Sequence, residues 1–423
     1  MEDNKTIELR EYQSLSDDQK NILMVLPEDQ ILLEELENKK FLTIRRNDRL
    51  KKIEFKAQSK IGVAQFTNFS VIINPKFTNI QNLVKLINYA WNVEVDLIPE
   101  SEIKFKNKNN MLVEIIISSF LHHCKNLIMQ GLYKSYVSHQ DTSMPCLRGK
   151  LLLVQQLQND VRLNAKFACE YDELEYDNLE NQILLYCLYR CRDLTKFDSK
   201  KNEFNSMIQQ MEQFVEYKTI SMEHFKQLNY TRLNQYYEKT HGLCKIIIQN
   251  MGISDFYKPE TSFVNSFFID MNTIFENFFF KLVNEYYDLV CKKPKSSLSW
   301  KSTLGKTKFN EPDGIIYEKN GVDVKYILDT KYKDSVKDDG TNNIKREDLR
   351  QMLDYMSHQE KNEGYLIYPK TSKSIPDEYR AENRDYTIKI RFIDIDTAMD
   401  LIYEKDDKIR EKRILELLQK ILD

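Results

Sequence analysis

Pro312-Asp313-Gly314-Ile315-Ile316-Tyr317 and, across Asn320-Gly321, Tyr326-Ile327-Leu328-Asp329-Thr330-Lys331 form the stretch whose reading decides the fold. Asn-Gly between two apolar runs is a strong hairpin signal. Alternation along a strand sends Asp329 and Lys331 to one face. The hairpin brings Asp313 toward the same end, so one lysine stands beside two carboxylates. An ionised aspartate at the end of a buried strand is costly unless it is paired or coordinated. Two hard oxygen ligands from protein suit Mg²⁺, which keeps its other positions for water and phosphate.

The flanking sequence extends this picture. Residues 347–357 read as a helix, and the i,i+4 spacing of Gln351 and Tyr355 puts both on one face. Upstream, residues 267–287 read as an aromatic-rich helix carrying Glu276. The residues 333–347, rich in Asp, Lys, Gly and Asn, read as a loop beside the site. Pro312-Asp313 … Asp329-Thr330-Lys331 resembles the PD-(D/E)xK nuclease signature, and Gln-x-x-x-Tyr after Asp-x-Lys resembles its RecB-like branch. That resemblance implies that Glu276 joins the site and that Gln351 and Tyr355 position the DNA backbone. The alternative is that Glu276 and Gln351 are exposed helix residues and that Tyr355 packs in the core.

Composition bounds the reading. The 423 residues exceed what one core accommodates, so two or three domains are expected. Lys+Arg number 62 against 65 Asp+Glu, a net charge of −3. A chain gripping DNA alone would show a basic excess or a strong basic segment. Only Lys292-Lys293 with Lys295, and Lys306 with Lys308, approach one. Seven cysteines without paired spacing suit a reducing cytoplasm. The charged N-terminus lacks a signal-peptide core, and no run approaches the ~18 apolar residues of a membrane span.

Along the chain, the pattern predicts an α+β multidomain protein. Residues 1–105 read as a strand-rich module of mixed α/β character: strands near 7–9, 52–56, 62–66 and 69–74, helices over 32–39 and 82–91. Residues 106–260 read as mainly helical, with helices over 111–131, 178–194, 204–215 and 229–251 and a strand over 151–154. Asp177-Asn178 is a predicted cap for the second of these helices. Residues 261–423 read as an α/β domain in which 364–368 and 386–392 extend the sheet. The amphipathic segment 409–422 closes it.

Beyond the nuclease signature, the whole chain resembles the McrC family, the nuclease subunits of McrBC-type restriction systems. The resemblance rests on Ile61-Gly62-Val63, Ile72-Ile73-Asn74-Pro75-Lys76, Arg148-Gly149-Lys150, Asp177-Asn178-Leu179-Glu180-Asn181 and Ile269-Asp270-Met271-Asn272 leading into Phe275-Glu276. Nothing departs from the family at Asp313, Asp329 or Lys331. The resemblance implies docking of the N-terminal module on a McrB-like AAA+ GTPase ring that recognises double-stranded DNA. Arg45-Arg46 and Lys76 are candidates for that contact, with surface charge the alternative. No Gly-x-x-x-x-Gly-Lys-Ser/Thr loop occurs in this chain, so GTP belongs to the ring. Mg²⁺, or Mn²⁺ in its place, would sit on Asp313 and Asp329 with the Thr330 carbonyl as a further ligand. A double-strand break needs two sites, which transient pairing of two nuclease domains would supply. Two other readings stay open: a free-standing RecB-like repair exonuclease, and a non-catalytic activator of an AAA+ ring.

Overall fold

The computed structural model describes residues 5–16, 26, 29–47, 52–96, 111–195, 197–250, 266–287, 290–292, 298–301, 307–310, 312–317, 324–336, 341, 343–382 and 385–422. The N-terminal part runs β1 (Lys5–Arg10), α1 (Gln30–Asn38), β2 (Leu42–Asn47), β3 (Lys52–Ala57), β4 (Lys60–Gln65), β5 (Phe69–Asn74) and α2 (Ile80–Trp91). β5 is a near-continuous apolar run and is buried on both faces. α2 starts where the Asn79 side chain accepts from Asn82 N, and stops at Asn92 in a left-handed conformation.

The middle part comprises α3 (Met111–Gln130), β6 (Ser135–Met144), β7 (Lys150–Leu151), α4 (Leu153–Val161), β8 (Phe167–Glu175), α5 (Leu179–Leu194), α6 (Asp198–Met211) and α7 (Glu238–Asn250). It holds a three-stranded sheet, order β6-β8-β7, besides its helices. Two expectations shift here. The strand over 151–154 ends at Leu151 and a helix begins at Leu153, and the helix over 229–251 starts only at Glu238. Against the expectation that no run approaches a membrane span, α3 contains a 19-residue window, Leu112–Gln130, long and apolar enough by composition to cross one. Its apolar residues Ile116, Ile117, Phe120 and Leu127 are buried within the protein.

Asn178 caps α5 through Asn181 N, and the Asp177–Asn181 stretch builds a polar core. Asn178 and Asn181 both donate to the Tyr133 carbonyl, and Tyr237 OH donates to Asn181 Oδ1 at 2.7 Å. Asn181 is fully buried, so each of its polar atoms needs such a partner.

The C-terminal part runs β9 (Ser266–Asp270), α8 (Met271–Tyr286), β10 (Val290–Lys292), β11 (Leu298–Lys301), β12 (Thr307–Asn310), β13 (Gly314–Tyr317), β14 (Val324–Thr330), α9 (Arg346–His358), β15 (Glu363–Pro369), β16 (Asp377–Arg380), β17 (Thr387–Ile393), α10 (Ile395–Ile402) and α11 (Asp407–Leu422). The expected helix over 267–287 is thus a strand followed by a helix. Asp270 makes the switch by accepting from Asn272 N as N-cap.

Residues 1–113 and 252–423 make one compact unit, and 114–251 a second. In the first unit β9 joins the N-terminal strands in a sheet of order β1-β5-β4-β9. Gly62 of β4 permits that pairing: at φ +144 its place suits glycine, and a Cβ there would stand 1.9 Å from the Phe267 carbonyl oxygen. Helix contacts add to the sheet, with Thr78 Oγ1 and Asn82 Nδ2 both donating to Asp396 Oδ1.

The other large sheet has the order β10-β13-β14-β15-β17-β16. β13 and β14 are an antiparallel hairpin whose Asn320-Gly321 turn lies outside the described residues. β14, β15 and β17 run parallel. Parallel neighbours require a crossover, and α9 supplies it between β14 and β15. α11 covers its own unit through Ile414, Leu418 and Leu422.

Candidate active site

The carboxyl ends of parallel strands are where an α/β sheet offers a ligand crevice. β14 delivers Asp329, Thr330 and Lys331 to such an end. In the hairpin Gly314 faces Leu328, so one step further Asp313 stands across from Asp329. Asp313 is held there by the opposing strand: its Oδ2 accepts from Thr330 N at 2.7 Å and from Thr330 Oγ1 at 2.8 Å.

Asp329 is 1% exposed. The Lys331 ammonium pairs with its Oδ2, and no other donor reaches either carboxylate oxygen among the described residues. Burial raises the acid well above the usual carboxylate range. The like charge of Asp313 raises it further, and Lys331 pulls it back, leaving it at about 7. Burial alone would lower Lys331; Asp329, with Asp313 and Asp348, outweighs that and holds the ammonium above its ordinary value.

From Lys331 the contacts continue onto α9. Lys331 Nζ donates to Gln351 Oε1 at 3.1 Å, and Gln351 Nε2 donates to Tyr355 OH. Asp329, Lys331, Gln351 and Tyr355 therefore form one connected chain, with Asp313 tied to it through Thr330. Tyr355 is buried, and burial followed by the nearby Asp329 raises its phenol.

Glu276 stands half-buried on α8. Its neighbour Phe275 meets the ring of Tyr332, the residue after Lys331, at 5.6 Å. The acidic charges raising Asp329 are those of Asp313 and Asp348. Of the basic residues before the site, Lys292 is exposed, while Lys293, Lys295 and Lys306 fall outside the described residues. Lys76 is ion-paired with Asp334. Arg45 and Arg46 lie on β2.

Sequence reasoning passed over Asp348. It is buried on α9, ion-paired with Lys333, and accepts from Tyr368 OH at 3.3 Å. Burial lowers the Lys333 ammonium, and Asp348 partly offsets this. The signal was present: Asp348 precedes Gln351 by three and Tyr355 by seven, one helical face.

The donor set suits a divalent cation. A buried carboxylate paired with one lysine and opposite a second carboxylate presents hard oxygens whose desolvation a cation would compensate. A His-carboxylate grouping among the described residues, His139, Glu173 and Glu175, lies on the β6–β8 sheet with exposed or half-buried side chains.

Fold and geometry thus define an acidic, lysine-bearing centre on an α+β scaffold. The chain belongs to the McrBC 5-methylcytosine restriction system component family, whose profile matches residues 55–369, a span that includes every residue of the candidate centre. It is 22% identical over 326 residues to the Type IV methyl-directed restriction enzyme EcoKMcrBC of Escherichia coli (strain K12), covering 72% of this chain and 90% of that protein. It also resembles a chain in the refined half-complex from the tetradecameric assembly of Thermococcus gammatolerans McrB AAA+ hexamers with bound McrC. There the TM-score is 0.62 at 19% identity, over 98% of this chain and 100% of that one. A chain of the cryo-EM structure of the Thermococcus gammatolerans McrBC complex matches at a TM-score of 0.49 and 21% identity, over 67% of this chain and 88% of that one.

Proposed function

We propose that this chain is the DNA endonuclease subunit of a McrBC-type restriction system, hydrolysing phosphodiesters with Mg²⁺ in a PD-(D/E)xK domain. The observation that carries the reading is Asp329: buried, opposite Asp313 and paired with Lys331. Asp313 and Asp329, with the Thr330 carbonyl, would hold Mg²⁺ or Mn²⁺. When bound, the ion supplies Lewis acidity that polarises the scissile phosphate and lowers the pKa of a water.

The side chains do the rest. Lys331 stays an ammonium and donates to the attacking water or to a phosphate oxygen, where negative charge grows. Gln351 fixes Lys331, and Tyr355 fixes Gln351, so the ammonium is aimed before DNA arrives. Lys333, held by Asp348, adds a second cation for the DNA backbone. Glu276 assists from α8. The product class is a 5′-phosphate.

The partner is an AAA+ ring of the kind named in the assembly whose fold this chain resembles. That ring would bind GTP and recognise DNA, in keeping with the net charge of −3 here. Residues 1–105 would be the docking module, 106–260 a middle domain and 261–423 the nuclease domain, in a cytoplasmic complex. Two nuclease domains pairing transiently would make a double-strand break.

Cleavage of 5-methylcytosine-bearing plasmid in Mg²⁺ tests the reading, with wild type and Lys331→Ala, with and without the AAA+ protein and GTP. Cleavage confined to the complete wild-type mixture is expected. Cleavage by the isolated chain, indifferent to GTP, would instead identify a repair exonuclease. Stimulated GTP hydrolysis without any nicking would identify a non-catalytic activator.

A further inference from the structure

We propose that Glu11 is a positioning residue for Lys331, acting through Tyr332, so that the end of β1 sets the geometry of the site on β14. The inference rests on the nuclease reading of that site. Glu11 lies immediately after β1 and is 1% exposed. Its Oε2 accepts from Tyr332 OH at 2.8 Å and from Lys76 N at 3.0 Å. The next residue, Tyr12, donates its hydroxyl to the Tyr332 carbonyl. Two consecutive residues that follow β1 thus hold both polar ends of Tyr332.

The surroundings make Tyr332 a fixed point. It is 1% exposed, with the Phe77 ring edge-on at 5.1 Å and Phe275 at 5.6 Å. Lys76 pairs with Asp334, two residues further on. Tyr12 adopts φ 65, a conformation uncommon outside glycine, which persists only where its surroundings over-determine it. On the other side, Lys331 N donates to the Ile367 carbonyl of β15 at 2.8 Å. The Lys331 backbone is therefore fixed by β15 before it and by the Glu11–Tyr12 clamp after it.

A structural carboxylate is an expensive way to fill this space. Glu11 Oε1 is buried and accepts no hydrogen bond among the described residues. An apolar side chain would pack there without the desolvation cost. What the carboxylate provides, and an alkyl group would not, is an acceptor fixing the tyrosine hydroxyl one residue past Lys331. Small displacements of a reacting group cost much in rate, so the clamp acts on turnover rather than on DNA binding.

The test uses the complete assembly of chain, AAA+ partner, GTP, Mg²⁺ and plasmid, comparing Glu11→Ala, Glu11→Gln, Tyr332→Phe and Lys331→Ala. Expected is a cleavage rate at saturating DNA about tenfold lower in Glu11→Ala and Tyr332→Phe. Half-saturating DNA and stimulated GTP hydrolysis should be unchanged. Glu11→Gln, whose amide oxygen can accept the same two bonds, should stay within about twofold of wild type, and combining Glu11→Ala with Tyr332→Phe should add nothing further. Tyr332→Phe, which removes one oxygen, keeps the test informative if Glu11→Ala fails to fold. A folded Tyr332→Phe protein cleaving at the wild-type rate overturns the proposal, as does equal loss of cleavage and GTPase stimulation. Cleavage by Lys331→Ala would overturn the nuclease reading itself, a result distinct from either.

Discussion

Replacing Asp329 by asparagine should stabilise the metal-free protein while abolishing cleavage. The side chain keeps its shape and loses its charge. In the folded chain burial and Asp313 lift the acid from 3.8 to about 7. Because the folded value exceeds the unfolded one, the Asp329 contribution to stability is fully present below about pH 4 and is lost as pH rises through 7. Three pH units at 1.36 kcal/mol each set a ceiling of roughly 4 kcal/mol on that fall. Loss of the ion pair leaves Lys331 bonded to Gln351 and attracted by Asp313 and Asp348, which offsets part of the gain, so about 1–2 kcal/mol net is expected above pH 8. For a unit of this size that is about 2–6 °C in Tm. Calorimetry in EDTA should show the variant melting higher at pH 8.5, with the difference shrinking toward pH 5. Saturating Mg²⁺ should reverse the order, since binding at a hundredfold excess over Kd adds about 2.7 kcal/mol to a protein that holds the ion. A variant melting below wild type in EDTA at pH 8.5, or equal stabilisation of both by Mg²⁺, would refute the reasoning.

Gly62→Ala should destabilise by about 3 kcal/mol or more, because its Cβ meets the Phe267 carbonyl and the backbone is at φ +144; a loss under 1 kcal/mol in urea titration would show that β4 and β9 can part cheaply. Glu11, faced by Lys76, Asp270, Tyr12 and Tyr332, is raised by burial to about 8. Its ionisation therefore weakens the fold progressively between about pH 4.5 and 8, and Glu11→Gln should flatten the decline of Tm over that window. Gln351→Ala frees the Lys331 ammonium and should lower the cleavage rate about 10- to 100-fold with GTPase stimulation intact; an unchanged rate would remove Gln351 from the site.

The hairpin was legible because two apolar runs with a period-2 acid and lysine leave little choice of register. The helix carrying Gln351 and Tyr355 was legible from its period alone. β9 was not: five residues built around Phe267, Phe268 and Ile269 look alike in a buried helix and a buried strand. What decides it is pairing with β4, some 200 residues earlier in the chain, through a glycine that admits the Phe267 carbonyl. β6 escaped because its alternation in exposure is carried by Ser, His, Gln and Asp rather than by apolar side chains. The Glu11–Tyr332 bond spans 321 positions, and no local pattern encodes it.

The charge of the cluster bears on why such a chain would need company. Asp313 and Asp348 both raise Asp329, and Lys331 and Lys333 are the ammonium groups paired with Asp329 and Asp348. With all five ionised the cluster carries a net negative charge, and DNA phosphate is repelled from it. Raising Asp329 to about 7 only partly relieves this near neutrality. A divalent cation reverses the sign, converting an acidic pocket into one that attracts phosphate. Cation occupancy and DNA approach are then linked: each favours the other, as reciprocity of binding free energies requires. With no basic excess elsewhere in the composition, that linkage alone holds DNA weakly, and a partner gripping the duplex would raise its local concentration at the site. DNA binding should therefore rise more steeply with Mg²⁺ in the isolated chain than in the assembly. A Mg²⁺ dependence identical in both would mean that DNA delivery and cation binding are independent.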